Sequence, residues 1–443
     1  MTRIALIVLD TLRKDTFGRH FDWVPGRTFT NAWSTSHWTV PAHASLFTGR
    51  YPSTVGVHAR SIALDCEQPV LAERLRGAGY ETVAFSANGN VVPSFDYNRG
   101  FDVFERHSRT RGTDCDVFPW GDHAAERDLS LPLAVTSGLV ETVRGSYDVR
   151  PSLRAGIRRL RRRHGIGPGV VDDGASDALS LLRERSFDDD AFVFLNLMEA
   201  HTPYVPPGGY ASRSYDAEET DLDLAMTLGD GPADPAPYEQ AYEDCARYLA
   251  DVYRDIHDEL ADFDYVITMS DHGEVFGTDG VWGHPHGLYP DLVEVPIVVR
   301  GPDADDGHCD ALVSVADVYR TVLDAAGVDA DGPGQSLLGE VDGRDHCRTE
   351  YHGLTHAEQR SSLLDQGFDE TLVERYDSPL RGMVSADSYG YETRDGFTCR
   401  GTDCAETLRR RLEREGPSLD DLDRDGTDID DAVEKRLEHL GYV

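Results

Sequence analysis

The sequence predicts an α/β protein: a three-layer α/β/α sandwich built on a mostly parallel β-sheet, followed by a small α+β subdomain. Two observations predict this class. Apolar runs of strand length alternate with segments of helical periodicity through most of the 443 residues. The helical segments are about 10 to 20 residues long, which is typical of crossovers that join parallel strands and cover both faces of a sheet.

The individual elements follow from these patterns in chain order. Residues 4–9 form an apolar run that ends in a polar turn, which is typical of a buried central strand. Residues 71–78 have a helical pattern that ends at Gly79, and a strand over residues 81–86 follows. The same reasoning predicts strands over residues 191–198, 265–269 and 293–299, and helices over residues 175–185, 238–260 and 313–326.

One long region breaks the alternation. Residues 106–172 are polar and irregular, and they contain an arginine-rich segment over 153–164 in which Leu153, Ile157 and Leu160 fall on one helical face. This segment is either a solvated helix docked by its apolar stripe or a cationic patch that contacts an anionic polymer or lipid headgroup.

The chain changes character again after residue 345. Short β-like pieces at 382–385 and 389–393 precede acidic turns and a predicted terminal helix over 429–440. We therefore expect two units, a main domain over residues 1–345 and a small C-terminal subdomain over residues 346–443. The Asp- and Gly-rich stretches near 228–236 and 301–307 are expected to be surface loops.

The charge balance excludes one class of partner. The chain has 80 acidic and 43 basic residues, a formal net charge of −37, and only two lysines, Lys14 and Lys435. Because a nucleic-acid backbone must be neutralised by Lys and Arg, we expect no nucleic-acid partner. Excess carboxylate with almost no lysine indicates a halophilic protein, in which high salt screens the self-repulsion.

The apolar segments bear on the location of the protein. The first apolar run is too short for a signal-peptide core, and no segment approaches the roughly 18 apolar residues that a transmembrane helix needs. We therefore expect a cytoplasmic protein with no transmembrane segment and with its seven cysteines reduced. Cys399 and Cys404 could pair or hold a metal, and their spacing leaves this open.

Three short segments carry candidate chemistry. Asp10 follows the first strand, and Asp271 and His272 follow a later one, so they fall at the carboxyl ends of strands, where open α/β sheets bind ligands. A carboxylate and an imidazole side by side are suited to a metal ion. Thr39 stands just before Pro41 at the predicted start of a helix, where N–H groups favour an anion. Taken singly, Asp10 and Thr39 could be helix caps.

Six motifs occur in an order that is informative. They are VLDTLR at residues 8–13, TVPAHASLFTGRYP at 39–52, GYETVAFSAN at 79–88, MEAHTPY at 198–204, SDHGE at 270–274 and GHPHGLY at 283–289. Their order resembles the sulfatase branch of the alkaline phosphatase superfamily. The resemblance covers residues 1–340. It implies an alkaline phosphatase-like sandwich whose sheet is mixed and mostly parallel.

The resemblance implies roles for the residues that match the family's motifs. Asp10, Asp271 and His272 match metal ligands. Thr39 matches a nucleophile that is itself bound to the metal, and Asn88 matches a residue that contacts the transferred group. His201 matches a histidine near the leaving group, and His284 or His286 falls where the family places a second-metal histidine or a catalytic lysine. Apart from the resemblance, His37 and His43 are expected to contact substrate or a loop rather than a metal.

The chain departs from the usual sulfatase pattern at the nucleophile. Thr39 stands where sulfatases have the Cys or Ser that is oxidised to formylglycine, and threonine cannot form that aldehyde. His43 stands at an arginine position, Thr11 at that of a second metal-binding aspartate, and no lysine is available. These features resemble the two-metal phosphodiesterase and phosphoglycerol-transferase branches instead. Imidazole-rich ligation favours Zn²⁺ or Mn²⁺, with Ca²⁺ as the alternative, and one or two ions per chain.

These expectations give one function and two alternatives. The function is metal-dependent hydrolysis of sulfate or phosphate esters, with Thr39 as the metal-bound nucleophile. The first alternative is a phosphodiesterase or phosphoglycerol-type transferase of the same superfamily, and the second is a non-catalytic, anion-binding homologue. The expected substrate is an anionic small-molecule, glycan or lipid-headgroup ester. The arginine-rich segment over 153–164 is a candidate contact with an anionic surface.

Overall fold

An eight-stranded mixed sheet forms the centre of the computed structural model, which describes residues 1–107, 137, 142, 172–215, 220–229, 231–329, 332–354, 357–402 and 405–416. The arginine-rich segment, the predicted terminal helix and Cys404 lie outside the described residues. The strands of the main sheet are β1 Arg3–Leu9, β2 Arg27–Trp33, β3 Glu81–Ser86, β4 Val103–Arg106, β5 Ala191–Leu197, β6 Tyr265–Met269, β7 Ile297–Arg300 and β8 Gly307–Ser314.

The strand order explains why the sheet is mixed. It is β4-β3-β5-β1-β6-β7-β2-β8. Strand β7 runs antiparallel to both of its neighbours, β6 and β2. The pairs along β4-β3-β5-β1-β6, and the pair β2-β8, are parallel. The carboxyl ends of β3, β5, β1 and β6 therefore meet at one edge of the sheet.

The longest of the described helices is Ala236–Glu259, which is named α7. The described helices are α1 Lys14–His20, α2 Thr39–Thr48, α3 Pro52–Val55, α4 Leu71–Gly77, α5 Ala175–Arg183, α6 Leu224–Leu228, α7 Ala236–Glu259, α8 Pro290–Val293, α9 Ala316–Ala325, α10 Ala357–Asp365, α11 Glu370–Asp377 and α12 Ala405–Glu415. Among the described residues, no helix combines the length and the apolar character needed to cross a lipid bilayer.

The central strand β1 shows how the layers form. Its alternate side chains, Ile4, Leu6 and Val8, pack into one hydrophobic cluster with residues of α2, α4 and α9. The intervening Ala5, Ile7 and Leu9 pack into a second cluster with residues of α1, α5 and α7. Because successive side chains of a strand point to opposite faces, a strand that is apolar throughout requires cover on both sides. The predicted three-layer sandwich is confirmed.

A second, smaller sheet follows the main one. Its strands are β9 His346–Tyr351, β10 Leu380–Ser385, β11 Ser388–Thr393 and β12 Gly396–Gly401, and neighbouring strands are antiparallel. Tyr389 and Tyr391 of this sheet share a buried cluster with Trp33 and Leu312 of the main sheet. The small antiparallel sheet agrees with the expected C-terminal unit, whereas the domain boundary at residue 345 stays a prediction.

Two predicted elements are wrong near the end of the main sheet. Residues 293–299 were expected to be one strand, but α8 occupies Pro290–Val293 and β7 begins only after Pro296. Residues 313–326 were expected to be helical, but Val313 and Ser314 still belong to β8. The reason is the carboxylate of Asp317, which accepts a hydrogen bond from the Ser314 backbone N–H at 2.8 Å and so fixes the change from strand to helix.

Some strands were missed because their pattern is weak. Strand β2 reads RTFTNAW, with four polar residues among its seven. Strand β8 begins with the exposed pair Gly307 and His308, and Gly307 still belongs to the stretch 301–307 that was expected to be a surface loop. These strands lie at one end of the strand order, where β8 is an edge strand. Pairing with the rest of the sheet, rather than local apolar periodicity, makes them strands.

Asp317 also gives a stability prediction. Its fully buried carboxylate accepts hydrogen bonds from the Ser314 and Gln335 backbone N–H groups, both at 2.8 Å, and from Arg344 Nε at 2.8 Å. Asp317→Ala should lower the free energy of unfolding by about 3–5 kcal/mol, because it leaves the Arg344 guanidinium, whose side chain is only 15% exposed, and two backbone N–H groups without their buried carboxylate partner. Asp324→Ala, on the same helix, removes only a partly exposed pair with Arg320 and should cost less than about 1 kcal/mol. Urea unfolding at fixed salt would check both, and equal losses would contradict the prediction.

Candidate active site

Polar residues from four neighbouring strands meet at the carboxyl edge of the sheet. Asp10 follows β1, Asn88 follows β3, His201 follows β5, and Asp271 and His272 follow β6. The Asp10 backbone N–H donates to the carbonyl oxygen of Leu197 at 2.9 Å, which extends the β1–β5 pairing up to the first of these residues. In open α/β sheets this edge is where ligands bind.

Asp10, Asp271 and His272 form a compact buried cluster. One potential ligand atom from each lies within 4.8 Å of the other two. The Nε2 atom of His272 lies 3.7 Å from Oδ1 of Asp10 and 3.7 Å from Oδ2 of Asp271. All three side chains are at most 1% exposed. Two carboxylates buried this closely need a compensating positive charge, so the donor set fits a divalent cation.

The hydrogen bonds around the cluster also fit a metal ion. His272 donates its Nδ1 hydrogen to the Gly273 carbonyl oxygen at 2.9 Å, which leaves the Nε2 lone pair facing the two carboxylates. Oδ2 of Asp271 has no hydrogen-bond partner among the described residues, although His43 Nδ1 lies 3.4 Å away. Asp10, Asp271 and His272 are therefore the residues that would hold the ion.

Glycine is required in the loop that carries two of these residues. A Cβ atom at Gly273 would lie 2.0 Å from the carbonyl oxygen of Asp291, and the Gly273 N–H donates to the Leu292 carbonyl oxygen at 2.7 Å. The Ser270 hydroxyl donates to the His272 carbonyl oxygen at 2.6 Å. The backbone of residues 270–274 is thus held against α8, which fixes the direction of the Asp271 and His272 side chains.

Thr39 lies at the start of α2 and faces the cluster. Its Oγ1 atom is 3.3 Å from His272 Nε2 and 3.3 Å from Asn88 Nδ2. The Asn88 amide also donates to Oδ2 of Asp10 at 2.9 Å. Trp38, not Thr39, occupies the N-cap position of α2, so the hydroxyl of Thr39 is not an ordinary helix cap. The N–H groups at the start of a helix favour negative charge beside this hydroxyl.

His284 and His201 form the opposite rim of the cluster. The ring of His284 lies 4.7 Å from that of His272 and 4.9 Å from that of His201. His284 Nδ1 is 3.0 Å from Oε1 of Glu274, and Tyr204 donates to Oε2 of the same carboxylate at 2.6 Å. Burial would lower the pKa of His284, but Glu274 raises that pKa above its ordinary value. Burial lowers the pKa of His201.

The other predicted histidines lie elsewhere. His286 packs between Tyr351 and Tyr376, with ring centroids 5.0 and 4.6 Å away, and burial lowers its pKa to about 3. The structure therefore places His284, rather than His286, against His272. His43 lies behind the nucleophile, with Nδ1 3.0 Å from the Thr39 carbonyl oxygen.

His37 supports the loop opposite the cluster. Its Nδ1 donates to the His284 carbonyl oxygen at 2.7 Å, which fits the expected contact with a loop.

Two further side chains at the site had no role in the sequence interpretation. Glu274 stands inside the SDHGE motif, so an acid two residues after a candidate ligand was an available signal. Tyr242, on α7, reaches the turn after Asp10, where its hydroxyl donates to the Thr11 carbonyl oxygen at 3.0 Å. No local pattern in the sequence indicates this contact, because the two residues are 231 positions apart.

Two curated proteins have sequences that are similar to this chain. An uncharacterized sulfatase, YidJ, of Escherichia coli K12 is 21% identical over 346 residues, which are 71% of this chain and 63% of that protein. The low-salt glycan biosynthesis sulfotransferase Agl7 of Haloferax volcanii is 31% identical over 122 residues, 25% of this chain and 28% of that protein. The chain thus spans less than two thirds of the length of these two curated relatives.

Solved structures and a family model add to this comparison. The phosphonate monoester hydrolase of Silicibacter pomeroyi superposes with a TM-score of 0.62 at 17% identity, covering 94% of each chain, which shows the shared fold. The family model described as Sulfatase matches residues 19–328, well over half of the chain. The resemblance to sulfatases carried by the motifs is confirmed, and the chain belongs to the sulfatase family.

Proposed function

We propose that this chain is a metal-dependent hydrolase of sulfate or phosphate esters and that Thr39 is its nucleophile. One observation carries the proposal: the Thr39 hydroxyl lies within 3.3 Å of both His272 Nε2 and Asn88 Nδ2, beside the buried Asp10–Asp271–His272 cluster. A hydroxyl next to a metal-binding cluster and at a helix N-terminus is placed to act as a nucleophile.

The ligand set suits a divalent ion, with Zn²⁺ or Mn²⁺ favoured and Ca²⁺ as the alternative. The chemistry supplied by such an ion at Asp10, Asp271 and His272 is Lewis-acid polarisation of the ester's oxygens. One ion is the number that the geometry supports, because the described residues bring together one group of three ligands. A second ion near His201 and His284 stays a prediction, and it would take the place of the proton-donor role that is given to His284 below.

The chain's own residues divide the remaining work. Thr39 Oγ releases its proton to solvent and attacks sulfur or phosphorus, so that an Oγ–S or Oγ–P bond forms while the bond to the leaving oxygen opposite it breaks. Attack by water on the same atom then breaks the Oγ bond and restores the hydroxyl. Asn88 donates a hydrogen bond to the group being transferred, and the N–H groups of α2 stabilise negative charge on it. His284, whose Nδ1 hydrogen is held by Glu274, presents Nε2 as the proton donor to the leaving oxygen.

The leaving-group role of His284 gives a prediction. His284→Ala should lower kcat/KM by about 10²–10³-fold for an alkyl ester but much less for a 4-nitrophenyl ester, because 4-nitrophenolate leaves without a proton. His286→Ala, on the same loop but packed against Tyr351 and Tyr376, is the matched control. Kinetics on both esters would check this, and an equal loss on the two esters in His284→Ala would contradict the assigned role.

The substrate is proposed to be an anionic small-molecule, glycan or lipid-headgroup ester. The Haloferax volcanii relative is named as a low-salt glycan biosynthesis sulfotransferase, and this name supports a sulfated glycan as the substrate. One specific observation favours a second function, transfer by a phosphodiesterase or phosphoglycerol-type enzyme. Thr39 cannot become formylglycine, so its covalent ester must be released by an external nucleophile, and an acceptor hydroxyl can take the place of water.

The experiment is a side-by-side assay in molar salt. Metal-stripped protein receives Mn²⁺, Zn²⁺ or Ca²⁺ and is offered 4-nitrophenyl sulfate, 4-nitrophenyl phosphate and bis(4-nitrophenyl) phosphate. Cleavage of any of these that depends on the added metal supports the proposal, and the cleaved ester decides between sulfur and phosphorus. Stoichiometric metal binding without turnover, also on sulfated and phosphorylated glycans, would favour the non-catalytic, anion-binding alternative. Halophilic character and a cytoplasmic location stay predictions from the sequence.

A further inference from the structure

The turn after Asp10 contains a residue in an unusual backbone conformation. Thr11 has a φ of 62°, in the left-handed region, and is fully buried. Glycine adopts this region readily, whereas a β-branched residue there is a genuine outlier that persists only where surrounding contacts impose it. The contacts of Thr11 therefore indicate what the conformation is for.

The left-handed turn lets Thr11 hold both carboxylates of the cluster. Its hydroxyl donates to Oδ1 of Asp10 at 2.9 Å. Its backbone N–H points to Oδ1 of Asp271 at 3.3 Å. Asp10 follows β1 and Asp271 follows β6, so the two residues are far apart in the sequence. Thr11 contacts both carboxylates and thereby links them. Partners of this kind orient metal ligands and tune their affinity.

Tyr242 closes this turn from the long helix α7. Its hydroxyl donates to the Thr11 carbonyl oxygen at 3.0 Å and accepts from the Arg13 backbone N–H at 2.8 Å. The ring is fixed between Tyr204 and Phe276, with centroids 5.4 and 5.2 Å away. One buried hydroxyl thus bridges the Thr11 carbonyl oxygen and the Arg13 backbone N–H, on either side of Leu12. Without this hydroxyl, both backbone groups would lose a hydrogen bond.

We propose that Tyr242 is a positioning residue for the metal centre: its hydroxyl holds Thr11 in the left-handed turn and so sets the relative placement of the Asp10 and Asp271 carboxylates. This inference rests on the proposed function in that the cluster is taken to bind a divalent ion. Tyr242 contacts neither carboxylate itself, so it acts through Thr11.

The test is Tyr242→Phe in the full chain, with metal binding measured apart from turnover. Titration of stripped protein with Mn²⁺ by calorimetry should show an affinity about 10–100-fold lower than that of the wild type. The visible spectrum of the Co²⁺-loaded protein should also change, because that spectrum reports the geometry of the ligands. In kinetics, kcat should fall at saturating metal with a smaller change in KM.

Tyr253→Phe is the matched control. Tyr253 is equally buried on the same helix, and its hydroxyl bonds with Thr268 Oγ1 rather than with the turn. It should lose comparable stability while keeping wild-type Mn²⁺ affinity and Co²⁺ spectrum. Thr11→Val should weaken Mn²⁺ binding, because it keeps the branched shape and loses the hydroxyl, and Thr11→Ser should restore it.

The outcomes separate this inference from the proposed function. Weakened metal binding in Tyr242→Phe, in a protein that cleaves no ester, would support the positioning role and overturn the hydrolase. Ester turnover together with unchanged Mn²⁺ affinity and Co²⁺ spectrum in Tyr242→Phe would overturn the positioning role alone. A wild-type protein that binds neither Mn²⁺ nor Co²⁺ would overturn both.

Discussion

Thr39→Ala is expected to lower turnover by at least about 10³-fold, one of the two largest effects predicted for this chain. The variant removes the hydroxyl that lies 3.3 Å from His272 Nε2 and from Asn88 Nδ2, and no attack on the ester can start from alanine. Metal binding should survive, because Asp10, Asp271 and His272 remain. The measurement is kcat on the best ester of the assay panel, with Mn²⁺ affinity determined on the same preparation.

Two variants separate the chemistry of Thr39 from effects on its helix. Thr39→Ser keeps a hydroxyl and should recover a substantial part of the activity. Thr48→Ala removes a buried hydroxyl from the same helix, one that donates to the Ala44 carbonyl oxygen at 2.6 Å, and should leave kcat near the wild-type value. Mass spectrometry after rapid quenching should find the sulfuryl or phosphoryl group on Thr39. Full activity of Thr39→Ala would refute the nucleophile.

The second large effect is expected at the metal cluster. Asp271→Asn should reduce turnover by about 10³-fold or more and should abolish stoichiometric Mn²⁺ or Zn²⁺ binding, because it removes one of the two carboxylates and the charge that compensates the ion. Thermal unfolding gives an independent measurement. A ligand at 100 times its Kd stabilises a protein by about 2.7 kcal/mol, so added metal should raise the Tm of the wild type but not that of Asp271→Asn.

The control for this prediction is Asp264→Asn. Asp264 is exposed just before β6, at the opposite end of the strand from Asp271, and accepts a hydrogen bond from the Arg3 backbone N–H at 2.8 Å. This variant makes the same chemical change without touching the cluster, so metal should still raise its Tm and turnover should persist. Metal-induced stabilisation that is unchanged in Asp271→Asn would contradict the assigned site.

The sequence alone determined the centre of this protein. The apolar run at residues 4–9 and the strands at 81–86 and 265–269 were found almost as they stand, because fully buried parallel strands must be apolar at every position. Since parallel strands end at the same edge of a sheet, the sequence also placed Asp10 and Asp271 at that edge, whereas the pairing of β1 with β6, which makes the two residues neighbours, came from the structure. The local signal failed at β2 and β8, where polar residues interrupt the pattern.

Only the tertiary structure decided which side chains surround and support the candidate metal ligands. His284 and His286 are two residues apart, and spacing could not tell which of them faces His272; the turn of the loop and the Glu274 carboxylate place His284 there. The Tyr242 hydroxyl reaches Thr11 across 231 positions. Local periodicity reports which face of an element is buried, whereas such contacts depend on how α7 packs across the sheet. That packing is a property of the whole fold, and no short stretch of sequence encodes it.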